Sequence, residues 1–446
     1  MLKFTKLFLS FVLSMMLLIA NDDLSSNKKA IEASVKKHEK ELIKISDAIW
    51  HNAELALEEY KSSKILSDYA EKNGFSIERG VAGMPTAFIA TYGSGRPRIG
   101  ILGEFDANAG ISQKAQSKKE ALIEGKPGHG CGHNLFGTGS LGAAIAVKEL
   151  IEKGKIKGTV VFYGTPAEET IFGKVWFARA GLFNDLDVCV DWHPGDDMEA
   201  ATQSSKALID FRVKFTGRTA HASADPYNGF SAVDGMELFT TGINYYREHI
   251  KPTARIHYQI EKAGDVVNVV PDKAQIWVRV RENDRESLNV VYERVKKMAA
   301  AGALMAEVEH EIQLISGIYE LLPNRRGATA IQENFKMLGP IKYTKKEMAY
   351  AKEIQRATGK PEVGMDGAIH PLKDTMPAQG GSTDVGDVSQ LVPVVRLSTP
   401  AAPKDAPWHS WAVVACTGMS IGHKGMIHAT KALGMTMVDL FENPQL

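Results

Sequence analysis

Cysteine is scarce in this chain, with three residues among 446. A scaffold held together by disulfides needs more of them, and an odd number leaves one thiol unpaired. Such a scaffold is therefore excluded, even for an exported protein. Cys189 lies within an apolar run and is expected to be a small buried side chain. Cys131 has different neighbours and is considered below.

Neither sign of charge is in excess, because Lys+Arg and Asp+Glu both number 53. Nucleic-acid-binding domains usually carry a clear basic surplus. Nucleic acid is therefore not expected as a partner, and the balance gives no sign of binding to a membrane surface. A small molecule is the expected partner.

Long hydrophobic runs are also missing, except at the N-terminus. Lys3 and Lys6 precede an apolar run over residues 7–20, and the polar segment 21–23 follows. This order resembles a secretory signal peptide, and the run is short for a transmembrane helix. We expect residues 1–20 to be a signal peptide and the protein to be periplasmic or secreted. A buried first helix in a cytoplasmic protein is the alternative. No cysteine follows the run, so no membrane anchor is expected.

Repeats and low-complexity segments are absent, and short apolar runs alternate with helical patterns along most of the chain. This alternation predicts an α/β domain with a largely parallel sheet. The strand candidates are residues 86–91, 98–103, 158–163 and 186–192. The helix candidates are residues 28–66, 141–153, 347–358 and 423–441.

The pattern changes near Ser205, where alternating strands and two helices describe a compact α+β insertion. Its strand candidates are residues 207–215, 254–260 and 274–281, and its helix candidates are residues 230–250 and 286–301. We therefore predict a discontinuous α/β domain over residues 25–205 and 318–446, with an inserted domain over residues 206–317.

The strongest local motif is the glycine-rich loop over residues 128–134, which contains Cys131 and His133. A thiol and an imidazole two residues apart are suitable metal ligands, and glycines let the backbone approach an ion closely. By itself the loop could also be a turn with a buried cysteine.

Other candidate ligands follow predicted strands. Glu168 and Glu169 come after one strand and His193 ends another, while His409 stands in a Trp-His-Ser-Trp segment. Adjacent carboxylates beside a metal can have different roles, one as a metal ligand and the other as a general base. Each residue alone is more often structural. Their shared position at strand ends indicates a site, because an open α/β sheet collects its ligands there.

Together these motifs resemble the aminoacylase and carboxypeptidase G group of dinuclear metallohydrolases, and within it the amidohydrolase branch. The resemblance covers nearly all of residues 51–440. The motifs that carry it are residues 51–55, 103–107, 131–133, 166–169, 217–223, 268–272, 381–387, 409–411 and 420–426.

The resemblance implies a role for each matching residue. Two divalent metals, with Mn²⁺ favoured and Zn²⁺ as the alternative, would have the ligands Cys131, His133, Glu169, His193 and His409. Glu168 would be the base that activates water and then protonates the leaving amine.

The insertion would be a lid that also forms a homodimer. Its His221 would reach the partner's site and stabilise the oxyanion. Asn268 and Arg281 would bind the substrate's carboxylate, with Arg279 as a rival on the same strand face.

The implied reaction is hydrolysis of an N-acyl or N-aroyl amino acid, with aminobenzoyl-glutamate as the first substrate to test. A small dipeptidase or aminoacylase is the alternative, as is a non-catalytic metal-binding protein on the same fold. Some members of this branch have A-type and B-type subunits, so a second, A-type subunit is a possible partner.

Three points remain open in the sequence. Glu104 stands where relatives carry a ligand histidine, so it could be a ligand or a neighbour of the site. Asp106 is expected to orient a ligand by a hydrogen bond. The remaining candidates are expected to be structural: His129, His423 and His428.

Overall fold

The chain was examined as a computed structural model, which describes the side chains of residues 26–443 and 445–446. The expected signal peptide, residues 1–20, lies outside these described residues. Within the part of the chain that is described, no helix combines the length and apolar character needed to cross a membrane.

The chain divides into two compact units. Unit 1 comprises residues 1–202, 323–374 and 391–446, and unit 2 comprises residues 203–322 and 375–390. The predicted insertion, residues 206–317, falls within unit 2. Unit 2 also includes residues 375–390, which the sequence analysis had placed in the α/β domain.

Unit 1 contains a sheet of seven strands among the described residues, in the order β1-β2-β4-β3-β5-β11-β6. The four central strands, β4, β3, β5 and β11, run parallel, and the outer pairings are antiparallel. The strands are β1 (Ser76–Arg79), β2 (Phe88–Ser94), β3 (Arg98–Gly103), β4 (Gly158–Gly164), β5 (Val188–Gly195), β6 (Glu199–Ala200) and β11 (Val394–Pro400).

Every residue of β4 is buried. A strand covered on both faces has a continuous apolar run, which explains why the sequence identified the central strands β3, β4 and β5. The predicted parallel sheet is therefore confirmed at its centre. The edge strands β1 and β6 were not predicted, because short exposed strands carry little apolar signal. The central strand β11 was not predicted either.

Helices cover both faces of such a sheet. The helices of unit 1 are α1 (Leu2–Asn52), α2 (Tyr60–Lys72), α3 (His133–Glu152), α4 (Glu168–Ile171), α5 (Gly173–Arg179), α8 (Arg325–Leu338), α9 (Lys345–Ala357), α11 (Trp411–Thr417) and α12 (Ser420–Glu442).

The helical pattern over residues 28–66 is not one helix. Helix α1 ends at Asn52, and Ala53 and Leu57 adopt left-handed conformations with φ of 40° and 62°. The carboxylate of Glu54 accepts the backbone N–H groups of Lys61 and Ser62, at 3.0 and 2.8 Å, at the start of α2. The prediction of a continuous helix was wrong because the helical spacing of the apolar residues continues unchanged on both sides of the short break.

Helix α3 begins earlier than predicted, at His133 rather than Leu141. Gly132 precedes it with φ of 77°, a conformation that favours glycine. A Cβ at Gly137 would lie 2.6 Å from the carbonyl oxygen of Glu104. The first turns of α3 can therefore pack directly against the chain that leaves β3.

Unit 2 contains an antiparallel sheet of four strands in the order β10-β7-β9-β8. Residues along β9 alternate between buried and half-buried, because one face packs on helices and the other does not. The elements are β7 (Ala207–Thr216), α6 (Ala232–Tyr246), β8 (Arg255–Ala263), β9 (Lys273–Glu282), α7 (Arg285–Met305), β10 (Glu309–Ile318) and α10 (Val385–Ser389).

The core of unit 2 lies between this sheet and helices α6 and α7, and includes Phe211, Phe215 and Phe239. Side chains cap both helices: Ser231 accepts a hydrogen bond from Asp234 N, and Asp284 accepts one from Ser287 N. The predicted strands and helices of the insertion are confirmed. The strand β10 was not predicted, since it is largely exposed.

Candidate metal centre

The predicted ligands of unit 1 gather at the carboxyl ends of its parallel strands. Asp106 follows β3, Glu168 and Glu169 follow β4, and His193 lies on β5. Cys131 and His133 stand at the start of α3, which packs on the same edge. Because parallel strands end at one edge, side chains distant in sequence meet there.

Donor atoms of these residues lie close together. Cys131 Sγ is 3.4 Å from His193 Nε2, and Glu169 Oε2 is 3.5 Å from His409 Nε2. The other carboxylate oxygen of Glu169 is 3.9 Å from His133 Nε2. Three groups have donor atoms within 4.8 Å of one another: Cys131, His133 and His193; Cys131, Glu169 and His409; and Glu104, His133 and Glu168. All five predicted ligands are thus brought together.

Hydrogen bonds orient the buried imidazole of His133 and the half-buried imidazole of His193 toward this cluster. His133 Nδ1–H donates to Asp106 Oδ1 at 2.9 Å, and His193 Nδ1–H donates to the carbonyl of Pro194 at 2.7 Å. Each ring then presents Nε2 inward, where a metal would bind. Burial lowers the pKa of His193 to about 3, which keeps its ring in the neutral form that ligates metals.

Asp106 also orients a second residue. Its Oδ2 accepts the backbone N–H of Glu169 at 2.9 Å, while Oδ1 accepts from His133. One buried carboxylate thus positions two candidate ligands, as the sequence analysis expected of Asp106.

Three buried polar atoms at the site have no hydrogen-bond partner: Glu104 Oε2, His133 Nε2 and Glu169 Oε1. Leaving such atoms unsatisfied costs about 1–3 kcal/mol each. They belong to two carboxylates and an imidazole, and they converge on one another. This set fits divalent metal ions, which would satisfy all three at once.

Glu104 belongs to the donor cluster. Its Oε2 lies 2.9 Å from His133 Nε2, and its Oε1 accepts a hydrogen bond from the fully buried Lys174. Burial would raise the pKa of Glu104, but Lys174 and His133 outweigh it and hold that pKa well below the usual range. Glu104 is therefore a charged carboxylate that faces the site.

Glu168 is held by a turn that is itself restrained on both sides. Ala167 adopts φ of 62°, which is strained for a residue with a Cβ. Its N–H donates to the buried Glu59 carboxylate at 3.0 Å, and the N–H of Glu169 donates to Asp106. The backbone on either side of Glu168 is therefore bound by a buried carboxylate.

The sequence analysis missed Glu59 and Lys174. Glu59 also accepts the Thr86 hydroxyl at 2.8 Å, and burial followed by the charge of Asp106 raises its pKa to about 7. No spacing rule singles out either residue. The sequence feature that could have indicated Glu59 is the 51–55 motif, which ends four residues before it.

Three predicted site residues lie in unit 2. His221 and Asn268 are on adjacent loops, where Ala222 N–H donates to the carbonyl of Asn268 at 3.0 Å. Arg281 is at the far end of β9. Within unit 2, His221 and Asn268 are neighbours and Arg281 stands apart from them.

The histidines expected to be structural have contacts of that kind. His129 Nε2 lies 3.1 Å from the Ile49 carbonyl, and burial lowers its pKa to about 4. His423 pairs with Asp47 at 2.8 Å, and the His428 ring stacks on Phe335. Cys189 is fully buried, as predicted.

Known proteins match this chain over most of its length. It is 36% identical over 439 residues to the B-type subunit of p-aminobenzoyl-glutamate hydrolase from Escherichia coli, covering 92% of this chain and 90% of that protein. It is 29% identical over 419 residues to the Xaa-Arg dipeptidase of Homo sapiens, covering 90% and 86%.

A solved structure, a dinuclear metal-binding peptidase of family M20 from Bacillus subtilis, superposes with a TM-score of 0.61 at 17% identity. That likeness covers 91% of this chain and 99% of that one. The sequence profile of peptidase family M20/M25/M40 matches residues 115–434. With the fold, the clustered ligands and these matches in agreement, the chain belongs to peptidase family M20/M25/M40.

Proposed function

We propose that this protein hydrolyses the amide bond between an acyl or aroyl group and an amino acid, and that aminobenzoyl-glutamate is the first substrate to test. The observation that carries the proposal is the convergence of thiol, imidazole and carboxylate donors beside Glu168. The similarity to a protein named for aminobenzoyl-glutamate hydrolysis supports the choice of substrate.

Cys131, His133, Glu169, His193 and His409 would hold two divalent ions, with Mn²⁺ as the first choice and Zn²⁺ as the second. Thiol, imidazole and carboxylate donors suit both metals. Glu104 is an added candidate donor because its Oε2 faces His133 Nε2. When bound, the pair of ions would supply Lewis acidity that polarises the amide carbonyl and acidifies water.

Glu168 is proposed to move the proton. Its carboxylate would take a proton from the attacking water and deliver it to the departing amine nitrogen. The clamped turn at Ala167 and Glu169 supports this role, because a general base must be held within hydrogen-bond reach of the proton that it takes.

His221 is proposed to donate a hydrogen bond to the developing oxyanion of a partner subunit's substrate. Its Nδ1 accepts the backbone N–H groups of Ser223 and Ala224, at 3.2 and 3.1 Å. The ring proton must then reside on Nε2, which makes that atom a donor. The side chain of His221 is exposed in unit 2, as is required of a residue that contacts a partner subunit.

Arg281 is proposed to bind the substrate's carboxylate. Asn268 is proposed to contact the same carboxylate from a partner subunit, together with His221, because Asn268 and Arg281 stand apart within unit 2. The rival Arg279 pairs with the buried Asp210 at 2.5 Å, so its charge is already compensated. The Nε of Arg281 is buried without a hydrogen-bond partner. A carboxylate would satisfy this atom, which favours Arg281 for the role.

The working unit is proposed to be a homodimer formed through unit 2. Strand β8 is an edge of the unit 2 sheet, and Ile260 on it is 51% exposed. An unpaired edge with exposed apolar side chains is suited to a second copy. A further A-type subunit is proposed from the similarity to a protein named as a B-type subunit.

Export to the periplasm or outside the cell is proposed from Lys3, Lys6 and the apolar run that follows. Mass spectrometry of protein from the native cell should find a start near Asn21. An intact Met1 in a cytosolic fraction would contradict export.

A small dipeptidase is the second candidate, favoured by the similarity to a Xaa-Arg dipeptidase. A non-catalytic metal-binding protein would need neither Glu168 nor His221. The discriminating experiment is a hydrolysis screen of N-acyl amino acids and dipeptides with the chain alone, after chelation and with added Mn²⁺ or Zn²⁺. We expect chelation to abolish turnover and Mn²⁺ to restore it best. No hydrolysis in any metal-loaded sample would contradict the proposal for the isolated chain, and a co-purified second subunit would then be tested.

A further inference from the structure

The turn that carries Glu168 contains two residues in a strained conformation. Ala167, directly before Glu168, has φ of 62° and ψ of 32°, and Phe172 has φ of 60° and ψ of 66°. Both lie in the left-handed region, which is unfavourable for a residue with a Cβ. The short helix α4 (Glu168–Ile171) lies between them. Contacts with the rest of unit 1 must therefore maintain the conformation of this turn.

Hydrogen bonds within the turn supply part of that restraint. The carbonyl of Ala167 accepts the N–H groups of Ile171 and Gly173, both at 3.3 Å. A Cβ at Gly173 would overlap the carbonyl oxygen of Pro166, so glycine is needed for this close return of the chain. These bonds use only the carbonyl of Ala167. Because Ala167 is fully buried, its N–H needs an acceptor from outside the turn.

The side chain of Glu59 is that acceptor. Its Oε1 accepts the Ala167 N–H at 3.0 Å, and its Oε2 accepts the Thr86 hydroxyl at 2.8 Å. All three residues are at most 1% exposed. Water cannot easily replace a lost partner at such a buried place, so each bond constrains the groups that it joins. The backbone directly before Glu168 is therefore bound to a side chain at the start of α2.

The 51–55 motif in turn fixes the position of Glu59. The carboxylate of Glu54 accepts the backbone N–H groups of Lys61 and Ser62 at 3.0 and 2.8 Å, and the Ser62 hydroxyl at 2.7 Å. These bonds hold the first turn of α2, and Glu59 is the residue that caps this end of the helix. The family resemblance assigned no site residue to this motif. Through Glu59 the motif reaches the strained turn.

Asp106 binds the other side of the same turn, and it does so differently. Its two oxygens accept N–H groups from Glu169 and from the ring of His133, both at 2.9 Å. Both of these residues are candidate metal ligands, whereas the two groups that Glu59 accepts belong to no candidate ligand. Loss of Glu59 should therefore move Glu168 and leave the metal donors in place.

We propose that Glu59 is a positioning residue for the reaction, which holds Glu168 in the orientation for proton transfer through its hydrogen bond to Ala167. The inference rests on the proposed function, in which Glu168 moves the proton. A general base must lie within hydrogen-bond reach of the proton that it takes. A small displacement of Glu168 should therefore lower turnover without preventing the substrate from binding.

The test replaces Glu59 in two ways. Glu59→Leu introduces a side chain of similar size without an acceptor, whereas the amide of Glu59→Gln can accept the Ala167 N–H and donate to the Thr86 oxygen. With the best substrate of the hydrolysis screen, metal-loaded Glu59→Leu should lose roughly 10- to 100-fold in kcat, the scale of a misplacement of about 1 Å. Its KM and its metal content should stay close to those of the wild type. Glu59→Gln should keep most of the wild-type kcat.

Hydrogen–deuterium exchange of the metal-free protein is a second measurement, which does not need turnover. In a peptide that spans residues 165–173, the Ala167 amide should exchange faster in Glu59→Leu than in the wild type and in Glu59→Gln. Thr86→Val removes the hydroxyl that holds Glu59, so it should change kcat and exchange in the same direction and by less. Glu58→Leu is the matched control at the exposed neighbouring position and should change neither.

An unchanged kcat in folded Glu59→Leu would overturn the inference, and so would a loss of kcat that is accompanied by loss of metal. If the melting temperature shows that Glu59→Leu is not folded, Thr86→Val decides. A lower kcat with faster exchange in Thr86→Val supports the inference, and unchanged values overturn it. If the wild type hydrolyses no compound of the screen, the proposed function fails. Exchange then decides the contact by itself: faster exchange at Ala167 in Glu59→Leu supports it, and unchanged exchange overturns it.

Discussion

Buried charges are treated differently in the two units. In unit 1, the two ring nitrogens of His133 lie 2.9 Å from Glu104 Oε2 and 2.9 Å from Asp106 Oδ1, and the buried Lys174 pairs with Glu104. In unit 2, Arg279 is paired with Asp210, while the Nε of Arg281 is buried without a hydrogen-bond partner among the described residues. The carboxylates and the imidazole of unit 1 are donors suited to metal cations. In unit 2, the positive charge of Arg281 is suited to an anion.

The difference also concerns rigidity. The donors of unit 1 are positioned by further buried groups, as Glu59 and Asp106 hold the turn around Glu168. The predicted residues of unit 2 lie on exposed loops and on an open sheet face. Residues that must hold metals need fixed geometry, whereas residues that recognise a substrate can be more accessible.

The largest expected effect is on turnover, and substitutions of the two adjacent glutamates of unit 1 should act on it in different ways. Glu168→Gln should keep both metals and lose roughly 10²–10⁴-fold in kcat, the scale of general acid–base catalysis. Glu169→Gln should lose metal, because its oxygens face His133 and His409. Metal analysis with turnover measurements checks both variants. The reverse pattern would exchange the two roles.

Subunit mixing tests whether unit 2 acts in the partner. His221→Ala and Glu168→Gln should each be nearly inactive alone. A heterodimer of the two has one site with Glu168 and a partner's intact His221. A random mixture should therefore recover roughly a quarter of the wild-type rate, since half the dimers have one good site of two. Exchange confirmed by native mass spectrometry without recovered activity would show that His221 does not act in trans.

Substitutions of the two arginines of β9 should have different effects, one on KM and the other on stability. Arg281→Gln should raise KM by roughly 10-fold or more at a nearly unchanged melting temperature, because it removes a charge-assisted bond to substrate. Arg279→Gln should instead lower stability by roughly 2–4 kcal/mol, since it removes the cationic partner of the buried Asp210. Kinetics and thermal unfolding separate them. A loss of stability in Arg281→Gln with an unchanged KM would assign substrate binding to another residue.

The smallest expected effect concerns Glu59 and pH. Its folded pKa of about 7 lies above the ordinary value of 4.5, so its stabilising contribution is complete below about 4.5 and is lost as pH rises through 7. Glu59→Gln keeps an acceptor for Ala167 N–H and cannot ionise. The variant should match the wild type near pH 4.5 and be more stable by about 1–3 kcal/mol above pH 7.

Thermal unfolding of the apoprotein across this range measures the effect. Glu58→Gln, at the exposed neighbouring position, is the control and should not change with pH in this way. A stability difference that does not depend on pH would show that folding does not raise the pKa of Glu59.

Much of the fold could be predicted because periodicity reflects burial. The buried strands β3, β4 and β5 and the alternating strands β7 and β9 were all identified from their apolar patterns. The exposed strands β1 and β10 and the break between α1 and α2 were not, since exposed backbone pairing and left-handed residues such as Leu57 leave no apolar pattern. The membership of residues 375–390 in unit 2 depends on contacts distant in sequence, such as Tyr319 N–H to Asp387 at 3.1 Å.

The sequence by itself determined the candidate ligand types, because Cys131, His133, Glu169, His193 and His409 stand in recognisable motifs. Glu169 and His193 also follow or end predicted strands. Only the tertiary structure decided how these side chains are held. Glu59 and Lys174 are ordinary residues in the sequence, and they matter because folding buries their charges against the turn of Glu168 and against Glu104. The structure also adds a reason for the proposed role of Arg281, which the resemblance had already favoured over Arg279. Both occupy one strand face, and the position of Asp210 on the neighbouring strand, a long-range pairing, compensates one and leaves the other available.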